Sequence, residues 1–227
     1  MTYSPAQAGI MTGTDYFRSV GVLQDGMAPI ISSNKTMPTP DARANALTQT
    51  VTGTVLKSVQ DSTNLAGRHY SFELGTTYDK VLGITYLHGK NFHALGFSEN
   101  SYSGDQATQD YVQDMYFASF YQSGTETYTK EINLNKRDGT TYTALGTDTT
   151  IAQDLSNTYH QFCGVAIYLE DDVQKAFYKM GGQSQWVQMF STTDGALTSG
   201  FQSVMIFTGQ YSGNTERQIA PFMVWGA

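Results

Sequence analysis

Phe162-Cys-Gly-Val-Ala-Ile-Tyr-Leu-Glu-Asp-Asp-Val-Gln-Lys-Ala-Phe-Tyr-Lys-Met180 decides the fold class. The run from Phe162 to Leu169 is apolar, short and partly β-branched, which suits a buried strand better than a helix. Glu170-Asp171-Asp172 breaks it with turn-forming acids, and the chain resumes with Val173, Lys175, Phe177 and Lys179 on one set of alternating positions. Strand, tight turn and strand make an antiparallel hairpin. Because successive side chains on a strand point to opposite faces, only one parity can enter a core. Cys163, Val165, Ile167 and Leu169 are assigned inward, and Phe162, Gly164, Ala166 and Tyr168 outward or against a neighbour.

The same signal recurs on both sides of this hairpin. Tyr70, Phe72 and Leu74 alternate with His69, Ser71 and Glu73, and Tyr128, Lys130, Ile132 and Leu134 do so further on. Short strand-like runs follow at Val81 to Leu87, Phe92 to Phe97, Met115 to Tyr121, Trp186 to Phe190, Val204 to Thr208 and Ile219 to Trp225. Turn clusters separate them, among them Ser123-Gly124, Gly181-Gly182, Asp194-Gly195 and Ser212-Gly213-Asn214. Arg137-Asp138-Gly139-Thr140 reads as a hairpin turn joining Tyr128–Leu134 to Thr141–Leu145. Helical periodicity is confined to Pro40 to Leu47 and Gln106 to Gln113, two turns at most. Many short strands at this spacing predict an all-β, two-sheet antiparallel sandwich over residues 51–227, with Cys163, Val165, Ile167, Phe177, Val204, Ile206 and Val224 in its deep core.

Composition agrees and narrows the partners. Charged residues are 15% of the 227, against about 25% in an average soluble domain. The polar surface is therefore built mostly from hydroxyls and amides, from 29 Thr and 18 Ser. A net charge of −7 and a pI near 4.9 repel phosphate backbones and anionic head groups, which argues against nucleic acid as a partner. Apolar runs fall short of the ~20 residues a membrane-spanning helix needs, so no membrane insertion is expected. Met1 through Asp15 lack a basic stretch followed by an apolar one, and synthesis and assembly in a host cytoplasm are expected.

Residues 1–50 differ from the rest. They hold four of the five prolines (Pro5, Pro29, Pro38, Pro40) and scattered apolar residues without a periodic face. Such a segment cannot form a core alone. It is expected to be an extended N-terminal arm for docking or assembly, burying Phe17, Val22, Leu23 and Ile30 on another subunit.

Motifs that would carry chemistry are scarce. The lone Cys163 sits among apolar neighbours, the setting of a packing residue and not of a nucleophile. His69, His88, His93 and His160 lack metal-ligand spacing, no phosphate-binding glycine loop is present, and Gly209-Gln-Tyr-Ser-Gly213 lacks the context of a nucleophile elbow. Glu73 and Glu131 stand alone, without the paired acid that glycoside hydrolysis uses. No catalytic, cofactor-binding or metal residue is assigned. Tyr102, Tyr121, Trp186 and Tyr211, near turns, have the chemistry to stack on sugars, with burial the expectation for Trp186.

Residues 69–226 resemble the concanavalin A-like (laminin G-like) jelly roll. The resemblance lies in His160-Gln-Phe-Cys-Gly-Val-Ala-Ile-Tyr-Leu169, in Val173-Gln-Lys-Ala-Phe-Tyr-Lys179, in Phe201-Gln-Ser-Val-Met-Ile-Phe207 and in Pro221-Phe-Met-Val-Trp225. It implies two stacked curved sheets and, in many relatives, carbohydrate binding. Phe177-Tyr-Lys-Met-Gly-Gly-Gln-Ser-Gln185 is loosely similar to a strand of alginate-lyase-like members, which would give Tyr178 and Lys179 catalytic positions. The accompanying Arg-rich and Gln-x-His strands have only Arg68 to Glu73 and Thr85 to His88 in their place, and neither matches. The acidic calcium patterns of legume-type lectins are also missing.

The expectation drawn from all this is a non-enzymatic bacteriophage virion protein, a capsid decoration or fibre-type subunit. Its partners would be other virion proteins, copies of itself and host-surface carbohydrate, with no cofactor. A free-standing lectin and a polysaccharide lyase are the alternatives.

Overall fold

The computed structural model describes residues 26–31, 41–42, 48–52, 55–59, 68–87, 92–99, 114–123, 129–139, 141–148, 163–179, 186–197, 200–209 and 218–227. Fifteen strands run through them: β1 (Ala28–Ile31), β2 (Asp41–Ala42), β3 (Thr48–Thr52), β4 (Val55–Val59), β5 (Arg68–Tyr78), β6 (Lys80–Leu87), β7 (Phe92–Ser98), β8 (Met115–Ser123), β9 (Thr129–Asp138), β10 (Thr141–Asp148), β11 (Cys163–Glu170), β12 (Val173–Lys179), β13 (Val187–Thr193), β14 (Phe201–Gly209) and β15 (Gln218–Gly226). They form an eight-stranded sheet, β13-β12-β11-β6-β15-β4-β3 with β1 also on β15, and a seven-stranded sheet, β10-β9-β8-β7-β14-β5-β2. The strand pairs are antiparallel throughout. No helix occurs among the described residues, so Asp41–Ala42 is strand where a helix was expected to start; 43–47 and 106–113 lie outside them. No helix is long and apolar enough to cross a membrane among these residues.

Period-2 alternation sets the core. Val165, Ile167 and Leu169 of β11 meet Leu95 and Phe97 of β7, Tyr116 and Ala118 of β8, and Val204 of β14 between the sheets. β6 approaches β7 so closely that a Cβ on Gly83 would lie 2.8 Å from Leu95 Cδ2 and 2.9 Å from Phe97 Cζ. Val224 belongs to the same cluster, as expected, while the side chains of Cys163 and Ile206 lie outside the described residues.

The second parity of β11 is buried as well. Ala166 and Tyr168 are fully buried, in a second cluster on the far face of the eight-stranded sheet with Leu82, Ile84, Met223 and Trp225. Phe177 is buried there too and not between the sheets. Of the two options left open for that parity, outward or against a neighbour, Ala166 and Tyr168 take the second. Parity alone cannot report that another layer covers that face.

Within residues 1–50, the described strand β1 docks on its own chain. Ala28 pairs with Gly226 and Pro29 with Trp225. Met27 joins the second cluster, and the partly buried Ile30 packs against the central core. β3 crosses the boundary drawn at residue 50 and pairs with β4. Phe17, Val22 and Leu23 lie outside the described residues.

Turns follow the sequence closely. Glu170 pairs with Val173 around Asp171, whose φ of 48° is the left-handed value tolerated best by Asp, Asn and Gly. The β9–β10 turn is tighter than the four residues suggest: Asp138 pairs with Thr141, and Gly139 (φ 56°) lies in the turn. At the lateral edge, β10 and β13 each carry a bulge. Leu145 has no rung opposite it on β9, nor Met189 on β12, and both extra side chains pack against the central core with Phe190. A Cβ on Gly146 would lie 2.6 Å from the Phe190 ring, so the two edges close against each other there.

Gly96 on β7 leaves no room for a side chain, since a Cβ would sit 2.5 Å from Phe117 Cβ and 2.6 Å from the Tyr116 carbonyl oxygen. Gly96→Ala should lower the free energy of urea unfolding by about 2 kcal/mol or more. Gly195→Ala, where nothing lies within 4 Å, should stay within about 0.5 kcal/mol of wild type in the same titration.

Candidate functional site

Strand register lines up one row of side chains on the outer face of the seven-stranded sheet. Glu73, Ser203, Ser98, Met115, Arg137 and Tyr142 occupy successive strands from β5 to β10. The middle of the row is buried, and its two ends, Glu73 and Tyr142, are exposed. In the adjoining rows Phe117 and Met205 are buried with Met115 and Ala94. Polar groups on this face bond to one another: Asn135 Nδ2 donates to Ser119 Oγ (3.0 Å), and Ser98 Oγ donates to the Asp114 carbonyl (2.8 Å).

Tyr142 stands out at the β10 end. It is 57% exposed, and Val187 is the other large hydrophobic residue that is exposed among the described residues. Its ring meets Phe117 edge to face, with centroids 5.4 Å apart and planes at 65°. Desolvation pushes the phenol up to about 12, and a phenol is a neutral donor at physiological pH even at its ordinary value of about 10. The hairpin beneath it is tied at two points. Arg137 Nε donates to the Gly139 carbonyl (3.0 Å), and Gly139 N donates to Asp114 Oδ1 (2.5 Å).

A second polar group closes the sandwich between the sheets. Tyr116 Oη donates to Asp194 Oδ1 (2.6 Å) and accepts from Leu197 N (3.3 Å); Lys136 Nζ donates to Asp194 Oδ2 (2.7 Å). Gln174 on β12 donates from Nε2 to the Asp194 carbonyl (2.9 Å), so both sheets share the knot. Burial alone would raise the Asp194 carboxyl, but bonds from Lys136, Tyr116 and Ala196 N outweigh it and hold the group below its ordinary 3.8. Burial, then the bond to Asp194, pushes the Tyr116 phenol well up.

The acidic turn is engaged rather than free. Lys80 bridges to Glu170, and Tyr168 Oη donates to the same carboxylate; these two bonds, in that order, hold Glu170 below its usual range. Asp171 and Asp172 are exposed. Lys175 Nζ lies 5.3 Å from the centre of the Tyr168 ring.

The lyase-like positions do not converge. Tyr178 packs against the central core from β12, Lys179 has the opposite parity, and Glu73 faces outward from the other sheet. The side chain of Arg68 and all of His88 lie outside the described residues, as do His160, Tyr102 and Tyr211; of His69, His93, Glu131 and Tyr121 only the strand positions are described. Trp186 is buried, as expected. Tyr142 was missed because it reads as one more β-former in a Thr-rich strand. Its place on an edge strand, after the Asp-Gly turn, was the available signal.

Solved structures share this architecture. The VIP36 exoplasmic/lumenal domain in its Ca2+/Man3GlcNAc-bound form matches at a TM-score of 0.56 and 15% identity, over 87% of this chain and 86% of that one. These neighbours are concanavalin A-like jelly rolls, and this chain shares their two-sheet antiparallel sandwich fold. A legume lectin-like domain from Entamoeba histolytica (TM-score 0.50, 11% identity, 83% of this chain and 90% of that one) has it as well. So does the CBM2 module of the Lactobacillus casei BL23 phage J-1 evolved Dit (TM-score 0.53, 9% identity, 91% of each chain). No family model and no curated protein sequence matches the chain. Among the described residues, no three His, Cys, Asp or Glu converge as metal donors.

Tyr116→Phe removes a buried donor and acceptor at once and should cost about 1–3 kcal/mol in chemical unfolding. Because Asp194 has a lowered folded value, its stabilising contribution is present above 3.8 and disappears as the pH falls through that lower value. Asp194→Asn should therefore be less stable at neutral pH and lose less on acidification, read as a shallower fall of the melting temperature between about pH 6 and 2.

Proposed function

We propose that this protein is a structural subunit of a bacteriophage virion whose jelly roll binds host-surface carbohydrate. The observation that carries the binding half is Tyr142, an exposed aromatic ring backed by Phe117 on a tied hairpin. Flat aromatic rings with a polar edge suit sugars, which present both apolar C–H faces and hydroxyls. The VIP36 form and the phage Dit module are similar in fold and carry carbohydrate-related descriptions of their own. The virion half draws on the phage setting of the Dit module and on a low-charge, hydroxyl-rich sequence suited to packing beside copies of itself.

A free-standing lectin is the second reading. What favours it is Ile30, which packs against the chain's own core and leaves that part of the N-terminal stretch unavailable to a neighbour. Lyase activity is not part of either proposal, because elimination needs a base and a carboxylate clamp at one place and Tyr178 points between the sheets.

Mass spectrometry of purified particles should find the chain at a copy number of a structural protein; its absence there, with glycan binding retained, would leave the lectin. Incubation with alginate or pectate should give no rise in the ultraviolet absorbance of unsaturated uronides. Turnover that vanished in Tyr178→Phe would reverse the non-enzymatic reading.

A further inference from the structure

Resting on the carbohydrate-binding reading, we infer that the Tyr142 site takes a neutral pyranose glycan, stacked by an apolar C–H face on the ring, and not an acidic or amino sugar. Three observations point this way.

The first is rigidity. Tyr142 and Arg137 are cross-strand neighbours in a hairpin whose tip is fixed by the Arg137–Gly139 and Gly139–Asp114 bonds. The Phe117 ring that supports Tyr142 is itself buried, held over Gly96, where no side chain fits. A platform ordered in advance loses little entropy on binding.

The second is the chemistry of the neighbours. Ala144 shares the face of the ring, Thr141 and Thr143 leave the opposite face of the same edge strand, and all three are exposed and uncharged. The outward side of a terminal strand presents backbone groups that can exchange hydrogen bonds with sugar hydroxyls. β10 is the terminal strand of its sheet among the described residues, so one side of its backbone faces away from the ladder.

The third is electrostatic. A net charge of −7 opposes the approach of a polyanion such as a uronate chain. Nearby, Asp138 is exposed, but Arg137 shares the Tyr142 rung, so the site gathers no single-sign charge to select an ammonium group.

The test is affinity electrophoresis of the full chain through gels holding a neutral glucan, galactan or mannan, with alginate as the acidic probe and chitosan as the cationic one. Retardation is expected in at least one neutral gel. Tyr142→Ala should weaken it at least about tenfold, while Tyr142→Phe, which keeps the ring, should stay within about threefold of wild type. Thermal unfolding of each variant shows whether the fold is kept; Tyr142→Leu, which keeps the apolar bulk on the strand, separates stacking from packing and should bind as poorly as Tyr142→Ala. Retardation by alginate or chitosan alone would overturn the neutral-sugar inference and leave carbohydrate binding standing. Neutral binding unchanged in both Tyr142→Ala and Tyr142→Leu would overturn the site. Failure to bind any of these polymers would overturn this inference and the reading beneath it together.

Discussion

The hydroxyl of Tyr116 is the point on which the two sheets are fastened. Its ring lies in the apolar core, and its oxygen reaches a knot made by Asp194, Lys136 and Leu197 N, with Gln174 contributed by the opposite sheet. Apolar packing brings two sheets together without fixing how one sits over the other, because it is non-directional. Directional bonds from β8, β9 and β12 to one short segment supply that missing specification. The cost is a set of polar groups placed almost out of water, and among the described residues the buried Gln174 Oε1 finds no hydrogen-bond partner.

Much of the fold was legible because alternation and turn chemistry are local. The Phe162 to Met180 hairpin, the Asp-Gly turn and the strand positions in the last two-thirds of the chain all came from runs of a few residues. What alternation could not report was the destination of the second parity. Ala166 and Tyr168 have the same spacing whether they meet water or another layer, and here they are buried with Trp225. Nor could it show that Met27 and Ile30 return to their own chain, since the pairing of β1 with β15 joins residues about as far apart in sequence as the chain allows.

The candidate site was far less legible. A row such as Glu73, Ser203, Ser98, Met115, Arg137 and Tyr142 draws each member from a different strand, in an order that the sequence does not follow. Its members become neighbours only through register. The lyase-like pattern around Tyr178 illustrates the converse: a locally suggestive string was placed by the same register with its tyrosine against the core and its lysine on the other face.

The bulges at Leu145 and Met189 bear on how copies of the molecule can coexist. An open strand edge is a template for pairing with another chain, and proteins commonly blunt it with charge, above all lysine. Neither β10 nor β13 contains a lysine or an arginine. A bulge disrupts the regular spacing of donors and acceptors along an edge, so an incoming strand cannot form an uninterrupted ladder. At these two edges, where no basic residue stands guard, extension of the sheet by a foreign strand is opposed by geometry instead of charge.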